Sequence, residues 1–305
     1  MAEDKPEMSV VIAAYNHGKY IRKTIESVLK QTLQDFEIIV LDDGSKDDTR
    51  DVVSGIKDGR IRYFYQQNSG LPACGRNNGM SKACGKYISL LDGDDFWHEE
   101  KLERSRRALE EHKDAALVCH NESVVYHDKI LRNTSYGPYQ EDMYLKLLFG
   151  GNCLHTSAVT MRREIFFEDG CRFAEDKYLF TIEDYEYWLR LSKSYRFYFM
   201  PEVLGSYRVT ETGAFLSAGE ANAVNMLRLL DSHFNKIDPV SSKLRQMIKK
   251  RRSSIMGAAG RVHHHKKNFK DSKDWYMKAI REYPANYKAY IGLMASALGI
   301  RILYR

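Results

Sequence analysis

Three carboxylates stand within four residues at the end of an apolar segment. Residues 87–91 form a short apolar run of strand length, and Asp92, Gly93, Asp94 and Asp95 follow it directly. Neighbouring carboxylates repel one another, and a bound divalent cation removes that cost. Carboxylate oxygens are the hard ligands that Mg²⁺ and Mn²⁺ prefer. These residues therefore indicate a divalent metal site, with a solvated polar turn and helix cap as the alternative.

The segments expected to position these acids alternate between strand-like and helix-like patterns. Short apolar runs of strand length occupy residues 9–14, 36–41, 61–66 and 87–91. Between them, residues 19–31 repeat apolar side chains with the spacing of one helix face, and helices are also expected over 47–56 and 74–83. Such alternation predicts parallel β-α-β units and therefore an α/β fold.

Three of the predicted strands end in polar residues. The first is followed by Tyr15 and Asn16, the second ends in Asp42 and Asp43, and the fourth ends in the three acids. In open parallel sheets, ligands bind beyond the carboxyl ends of the strands, so we expect these residues to share a site. The chain has no G-x-G-x-x-G after the first strand and no G-x-x-x-x-G-K-[ST], which argues against a dinucleotide cofactor and a P-loop NTPase.

The later part of the α/β region predicts further elements. Helices are expected over residues 99–111, 141–149 and 183–191, short strands and turns over 115–135, and a strand over 156–161. The last of these helices places Tyr185, Trp188 and Leu189 on one face. Residues 195–209 predict a pair of strands with Pro201 between them.

The strand pattern stops near residues 212–213, which divides the chain into an α/β domain at 1–215 and a helical region at 216–305. Helices are expected over 221–234 and 240–256, and residues 269–305 resemble a tetratricopeptide unit, in Trp275, Tyr276, Ala279, Tyr283, Pro284, Ala289 and Tyr290. One such unit cannot bury its own face, so it must pack on the preceding helices, the α/β domain or a partner. The apolar stretch 290–304 is too short to span a bilayer and predicts an interfacial or a packing helix.

The net charge of +6 is unevenly distributed. The first half of the chain is roughly balanced, and the basic excess lies at residues 249–252, 263–267 and 301–305. That pattern suits an anionic membrane surface or a nucleic acid, and equally a solvated helix face. Five cysteines lack disulfide or metal spacing, and the polar N-terminus has no signal-peptide pattern. We expect a cytoplasmic protein with reduced thiols.

Five segments together resemble the family 2 glycosyltransferases. They are S-V-V-I-A-A-Y-N at residues 9–16, the run S-V-L-K-Q-T-L-Q-D-F-E-I-I-V-L-D-D-G-S-K-D-D-T at 27–49, G-L-P-A-C-G-R-N-N-G at 70–79, G-K-Y-I-S-L-L-D-G-D-D-F-W at 85–97 and E-D-Y-E-Y-W-L-R-L at 183–191. They follow the family's order and spacing. The resemblance implies the GT-A fold, a Rossmann-like and mostly parallel central sheet flanked by helices.

The resemblance also implies a role for each matching residue. The nucleotide would be bound by Ala13, Tyr15, Asn16, Asp42, Asp43, Arg76 and Asp94. Asp92, Asp94 and Asp95 would hold Mn²⁺ or Mg²⁺, with the actual ligands among them left open. Asp184 would be the catalytic base. An acceptor site is assigned to His155, Glu183 and Trp188, with a structural role for His155 as an equal alternative.

The implied reaction is an inverting, non-processive transfer of a sugar from a nucleotide-diphospho-sugar, expected to be a UDP-sugar, to a glycan or lipid-linked acceptor. It would serve cell-surface polysaccharide synthesis, with the enzyme cytoplasmic or peripheral at the inner face of the membrane. The basic helical tail would contact a membrane surface or a protein, and no nucleic-acid partner is expected. The Q-x-x-R-W motif and the membrane spans of processive synthases are absent from the sequence.

Several alternatives stay open on the residues themselves. Asp184 also suits a helix N-cap, Tyr15 a core aromatic and Arg76 a surface ion pair. At the level of the whole chain, one alternative is a sugar-phosphate nucleotidyltransferase, although A-A-Y-N-H-G lacks the glycine-rich basic phosphate loop that such an enzyme needs. The other is a non-catalytic scaffold whose helical tail binds partners.

Overall fold

The computed structural model describes residues 5–210, 214–237 and 241–300, and it describes the first six residues of α8 by their backbone alone. The chain divides into two compact units. The first contains the described residues up to Leu147, together with Gly151–Lys177 and the residues from Glu183 to 210. The second contains Leu148–Gly150, Tyr178–Ile182 and the described residues from 214 onward. The boundary expected after residue 215 remains a prediction, and the point near 212–213 from which it was argued lies outside the described residues.

A nine-stranded mixed sheet forms the first unit. Its strands are β1 (Met8–Ala14), β2 (Phe36–Asp42), β3 (Ile61–Tyr65), β4 (Tyr87–Asp92), β5 (Phe96–Trp97), β6 (Ala115–Tyr126), β7 (Lys129–Thr134), β8 (Val159–Arg162) and β9 (Arg196–Arg208). The spatial order is β3-β2-β1-β4-β8-β6-β9-β5, and β7 pairs with β6. The first four strands in this order run parallel, as the sequence predicts, whereas β8 is antiparallel to both β4 and β6.

Helices connect and cover these strands. They are α1 (Gly18–Leu29), α2 (Thr49–Ser54), α3 (Pro72–Ser81), α4 (Lys101–Glu111), α5 (Met143–Gly150), α6 (Arg163–Phe167) and α7 (Glu183–Leu191). The spacing of α1 buries Ile21, Ile25 and Val28 against the apolar face of β1 and β2. Every residue of β2 is buried, as expected for a strand between parallel neighbours with both faces covered. Each large apolar side chain buried in this way contributes roughly 1.5–3 kcal/mol.

The region predicted as a pair of strands is one continuous strand, and that prediction was wrong. β9 runs through Pro201 without a turn and pairs in parallel with β6. The pairing register shifts between Cys119 and Asn121, and the Asn121 side-chain amide donates to the Pro201 carbonyl at 2.8 Å. An irregularity of this kind accommodates a proline because the partner strand need not receive its missing N–H.

The segment predicted as a strand over 156–161 is a 3₁₀ turn followed by a short strand. The 3₁₀ turn covers Thr156–Ala158, and β8 begins at Val159. The predicted short strands over 115–135 are the long strand β6 and the hairpin partner β7, paired across the turn at residues 127–128.

The second unit is helical, as predicted. It contains α8 (Ala214–Phe234), α9 (Ser242–His265), α10 (Phe269–Glu282) and α11 (Tyr287–Leu298). Tyr276, Ala279 and Ala289 form its buried apolar centre, where α10 and α11 pack together. Residues 301–305, which complete the predicted apolar and basic tail, lie outside the described residues. All five cysteines are free thiols, namely Cys74, Cys84, Cys119, Cys153 and Cys171.

Candidate active site

The site forms at one edge of the sheet, where β1, β2 and β4 end side by side. The register pairs Ala13 of β1 with Asp92 of β4, and Ala14 with Asp42 of β2. Tyr15 follows β1 and is 44% exposed. Its aromatic face is therefore available at this edge rather than buried in the core, which was the alternative interpretation of this residue.

Asn16 and Asp42 form hydrogen bonds that connect the loops following β1 and β2. Asn16 adopts a left-handed backbone conformation with φ of 54°, and its N–H donates to the Ser45 hydroxyl at 2.8 Å. Asp42 accepts from the Ser45 N–H at 2.7 Å and from the Tyr63 hydroxyl at 2.6 Å. These bonds give both residues a structural role at the edge of the predicted nucleotide site.

Asp43 is nearly buried and holds the loop after β3. One carboxylate oxygen accepts from the Gln66 side-chain amide at 2.5 Å and the Ser69 N–H at 3.1 Å, and the other from the Ser69 hydroxyl at 2.9 Å. A carboxylate offers about four acceptor positions, so one remains for an N–H of a bound base.

The turn after β4 requires glycine at position 93. The Gly93 N–H donates to the Ala13 carbonyl at 3.0 Å, which holds the turn against β1. A Cβ atom at this position would lie 2.4 Å from His17 Nδ1, closer than real contacts allow. The turn is closed by the Asp95 N–H, which donates to the Asp92 carbonyl at 3.1 Å. Glycine thus lets the acidic segment fold back against the end of the sheet.

Asp92, Asp95 and His155 form a group whose possible ligand atoms all lie within 4.8 Å of one another. The Ser157 hydroxyl joins the two acids, since it donates to Asp95 Oδ2 at 2.6 Å and accepts from the Asp92 N–H at 3.0 Å. The two carboxylates are ligands that suit Mg²⁺ and Mn²⁺, and the imidazole is a common ligand of divalent transition metals. The residues thus fit a divalent cation. The group contains two of the three acids predicted to hold it, together with His155, which was not predicted as a ligand.

The acids of this segment have different electrostatic surroundings. Burial raises the pKa of Asp94, and burial together with the neighbouring Asp94 raises the pKa of Asp95 well above its usual range. Burial acts in the same direction on Asp92, but the Arg76 guanidinium outweighs it and lowers the pKa of that carboxyl. A bound cation would offset the repulsion between these acids.

His155 is held by a buried carboxylate that the sequence analysis missed. His155 Nδ1 lies 2.9 Å from an oxygen of Glu122, which is fully buried on β6 and also accepts from the Tyr136 hydroxyl at 2.8 Å. Burial alone would lower the pKa of His155, but the Glu122 carboxylate overrides it and raises that pKa to about 10. Glu122 thus holds the imidazole beside the acidic segment, and the imidazole must release a proton before it can ligate a cation.

Arg76 links the acidic segment to α7 and is buried rather than exposed at the surface. Its guanidinium donates to Glu183 at 2.6 Å and to Asp92 at 2.9 Å. Its exposure of only 8% rules out the surface ion pair considered for this residue. Arg76 therefore brings Glu183 and the first turn of α7 to the end of β4.

Asp184, at the start of α7, is only partly buried and accepts a hydrogen bond from the Asn152 side-chain amide at 3.0 Å. Burial raises the pKa of its carboxyl to about 6, with Glu183 adding to this effect and Arg76 opposing it. Asp184 Oδ1 also accepts from the N–H of Tyr185, the next residue. A carboxylate with a pKa near neutrality is suited to accept a proton at physiological pH.

Trp188, the third residue assigned to the acceptor, is fully buried on α7. Its ring packs against Phe173 and Tyr187, with centroids 6.1 and 5.0 Å away. It therefore contributes to the packing of α7, and its ring is not exposed to an acceptor.

Arg208, which was not predicted as a site residue, also lies beside the acidic segment. Its Nε donates to the Asp94 carbonyl at 2.8 Å, and its backbone N–H donates to Asp95 Oδ1 at 2.8 Å. The residue is the last of β9, which pairs with β6, so only the long-range sheet pairing brings it here. No local pattern around Arg208, Glu122 or Ser157 signals these contacts.

The profile of glycosyl transferase family 2 matches residues 9–168, more than half of the chain. The chain belongs to this family. An uncharacterized glycosyltransferase of Rickettsia felis is 39% identical over 147 residues, which are 48% of this chain and 23% of that protein. The chain spans under a quarter of the length of the first curated relatives that it matches. The helix that carries Asp184 lies outside the matched residues.

Solved structures establish the fold. S. aureus TarS 1–349 in complex with UDP-GlcNAc has a TM-score of 0.64 at 17% identity, covering 98% of this chain and 94% of that one. The mannosyltransferase PcManGT from Pyrobaculum calidifontis, in complex with GDP-Man and Mn²⁺, has a TM-score of 0.60 at 16% identity, covering 97% and 81%. The predicted GT-A fold is thus confirmed, together with the C-terminal helices. Within the described residues, none of the helices could cross a bilayer.

Proposed function

We propose that the protein is a metal-assisted, inverting glycosyltransferase that uses a nucleotide-diphospho-sugar. One observation carries the proposal: Asp92, Asp95 and His155 converge at the edge where β1, β2 and β4 end, and Arg76 ties this group to the helix that presents Asp184. That arrangement provides a cation site for a diphosphate and a separate carboxylate with a raised pKa. The nucleotide-sugar complexes of TarS and PcManGT support the same donor class.

Asp184 acts as the general base. In an inverting transfer, the acceptor hydroxyl attacks the anomeric carbon, and the bond from that carbon to the diphosphate oxygen breaks on the opposite side. The hydroxyl proton passes to the Asp184 carboxylate. No covalent sugar intermediate forms, so one base is sufficient. Two hydrogen bonds orient this carboxylate: the Asn152 side-chain amide donates to Oδ2, and the Tyr185 N–H donates to Oδ1.

Asp92, Asp95 and His155 would hold Mn²⁺ or Mg²⁺, which when bound supplies Lewis-acid stabilisation of the negative charge on the departing diphosphate. Glu122 fixes the orientation of His155 through its nitrogen Nδ1. Asp94 is proposed to lie beside the nucleotide, and its backbone carbonyl accepts a hydrogen bond from Arg208.

The donor nucleotide is proposed to lie at the exposed edge, with the base against Tyr15 and an N–H of the base bonded to Asp43. A uridine nucleotide is our preferred donor, in line with the UDP complex of TarS. The acceptor is proposed to be a hydroxyl of a glycan or lipid-linked sugar in cell-surface polysaccharide synthesis, with the enzyme at the cytosolic side. Glu183 is proposed to border the acceptor side, next to Asp184.

A donor screen tests this function. Purified protein is incubated with Mn²⁺ and a panel of UDP-, GDP- and dTDP-sugars, and release of nucleoside diphosphate is measured. We expect one donor to be hydrolysed slowly without acceptor, and we expect EDTA and Asp184→Asn each to abolish the release. Absence of both hydrolysis and nucleotide binding across the panel would overturn the proposal in favour of a non-catalytic scaffold.

A further inference from the structure

The last described helix packs in an unusual way. α11 turns small side chains toward the unit, burying Ala289, Gly292, Ala295 and Ser296. Its large apolar side chains face outward and form what we call the α11 stripe: Tyr287 at 66% exposure, Tyr290 at 43%, Ile291 at 52%, Met294 at 64% and Leu298 at 68%. The spacing i, i+3, i+4, i+7 and i+11 places all five on one face of the helix. A contiguous exposed apolar face of this kind marks an interaction surface.

A basic pocket lies at the N-terminal end of the α11 stripe. This cavity of about 230 Å³ is lined by one face of α9, including Lys250, Gly257 and Arg261, and by Tyr287 and Lys288 at the start of α11. None of the described residues that line it is acidic. Since Tyr287 belongs to both features, the basic pocket and the α11 stripe form one continuous surface.

The charge of the surrounding chain has the same sign. The 24 residues of α9 include seven Lys and Arg and no Asp or Glu. Over residues 212–305 the sequence has 18 Lys and Arg and six Asp and Glu, a net charge of +12, although the whole chain carries only +6. The partner of this surface must therefore be anionic as well as able to receive apolar side chains.

We propose that this surface docks on an anionic phospholipid bilayer, with a lipid headgroup phosphate in the basic pocket and the α11 stripe in the interfacial layer. Lys250, Arg261 and Lys288 supply the cations for the phosphate. Tyrosines at the start of the helix suit the headgroup level, and the Ile, Met and Leu side chains suit the acyl boundary. The 12 residues of α11 can lie in the membrane plane and are too few to span it.

The bilayer explains both parts of the surface better than other partners do. Nucleic acid would use the basic pocket but leaves the aliphatic side chains of the α11 stripe in water. A second copy of the chain would cover the stripe but would bring two strongly positive surfaces together. The proposal rests on the second unit alone and does not depend on the proposed sugar transfer.

Vesicle co-sedimentation of the full chain tests the proposal. The probes are phosphatidylcholine vesicles with and without phosphatidylglycerol. One variant removes the pocket charges, by Lys250→Gln, Arg261→Gln and Lys288→Gln, and a second carries Met294→Ser and Leu298→Ser in the α11 stripe. The matched control, Lys266→Gln, Lys270→Gln and Lys273→Gln, removes the same charge from exposed residues that do not line the basic pocket. Circular dichroism verifies that each variant is folded.

We expect binding only to vesicles that contain phosphatidylglycerol. Each basic residue near an anionic bilayer strengthens binding roughly fivefold, so the pocket variant should bind about a hundredfold more weakly. The stripe variant should also lose binding, and the control should lose much less than the pocket variant. Equal loss in the pocket and control variants, no binding to anionic vesicles, or a concentration-dependent dimer that Met294→Ser abolishes in the absence of vesicles would each overturn the proposal.

Discussion

At the scale of single residues, the site contains two carboxyl groups, Asp92 and Asp184, whose pKa values are shifted in opposite directions. Arg76 lowers the pKa of the Asp92 carboxyl and so keeps it ionised next to the proposed cation. Burial and Glu183 instead raise the pKa of Asp184 to about 6. One group can therefore serve as a permanent anion and the other as a base that accepts a proton near neutral pH. The two roles follow from their partners, because the residue type is the same.

Asp184→Asn should abolish most turnover and leave nucleotide binding intact. The amide cannot accept the acceptor proton, and general-base catalysis contributes about 10²- to 10⁴-fold, so we expect kcat to fall by that factor. Turnover in the presence of acceptor and calorimetric nucleotide binding are the two measurements. Asn152→Ala serves as a control that removes the supporting amide and should cost far less. Unchanged kcat in Asp184→Asn would exclude this residue as the base.

The raised pKa of Asp184 predicts the pH dependence of the reaction. The base form is present above a pKa of about 6 and is protonated as the pH falls through that value. The logarithm of kcat/KM should therefore fall with unit slope as the pH drops below about 6. The titration of Asp184 leaves the profile level between about pH 7 and 8. A rate profile of the wild type checks this expectation, and a profile that stays level well below pH 6 would contradict it.

Among the site residues, those in local sequence patterns were predictable, and those brought together by long-range pairing were not. The strand ends and the acidic segment were predictable because each is a local pattern, an apolar run followed directly by polar residues. The pairing of His155 with Glu122 was not, because it depends on β6 and β8 lying together in the sheet. Trp188 was predicted to border the acceptor site, but its side chain is fully buried and packs within the first unit.

At the scale of elements, Arg76 is the main connection between α3, β4 and α7. Arg76→Met should destabilise the protein by about 3–5 kcal/mol, because it leaves the buried Glu183 and the partly buried Asp92 without their partner. Chemical denaturation measures the effect. Arg104→Met provides the matched control, since its ion pair with Glu100 is exposed and worth less than about 1 kcal/mol. Equal effects of the two substitutions would contradict this role for Arg76.

The elements differed most from prediction where a proline lies within a strand. Pro201 suggested a break between two strands, because proline cannot donate to a sheet. The irregular pairing of β6 and β9 near Asn121 accommodates it, and that irregularity is a property of the partner strand. The four leading strands, by contrast, agreed with their apolar runs to within a residue or two. For β1, β2 and β4, burial on both faces leaves a continuous apolar signal.

The packing of α10 against α11 depends on the absence of a side chain at Gly292. A Cβ atom there would lie 2.2 Å from the Tyr276 ring, so Gly292→Ala should destabilise the second unit by about 1–3 kcal/mol. Gly257→Ala is the control, because its Cβ would meet nothing closer than 3.8 Å and alanine favours a helix by roughly 1 kcal/mol. Hydrogen exchange in α10 and α11 should be faster in the first variant only. The same protection in both would contradict this packing argument.

At the scale of the whole molecule, charge separates the two parts of the chain. The net charge is +12 over residues 212–305, so residues 1–211 carry −6. The acidic part contains the proposed cation site, and the basic part contains the surface proposed to meet anionic lipid. The fold class was predictable at this scale from the alternation of strands and helices, whereas the outward-facing α11 stripe required the packing of the second unit to be known.

The most direct test of the central claim is calorimetric titration of the wild type and Asp95→Ala with UDP and, separately, GDP, each in Mn²⁺ and in EDTA. Asp95 belongs to the acidic group proposed to hold the cation that binds the diphosphate. We predict that one nucleotide binds the wild type at least tenfold more tightly with Mn²⁺, and that Asp95→Ala removes this difference. Equal affinity in Mn²⁺ and EDTA, or metal dependence that survives in Asp95→Ala, would contradict the proposed site.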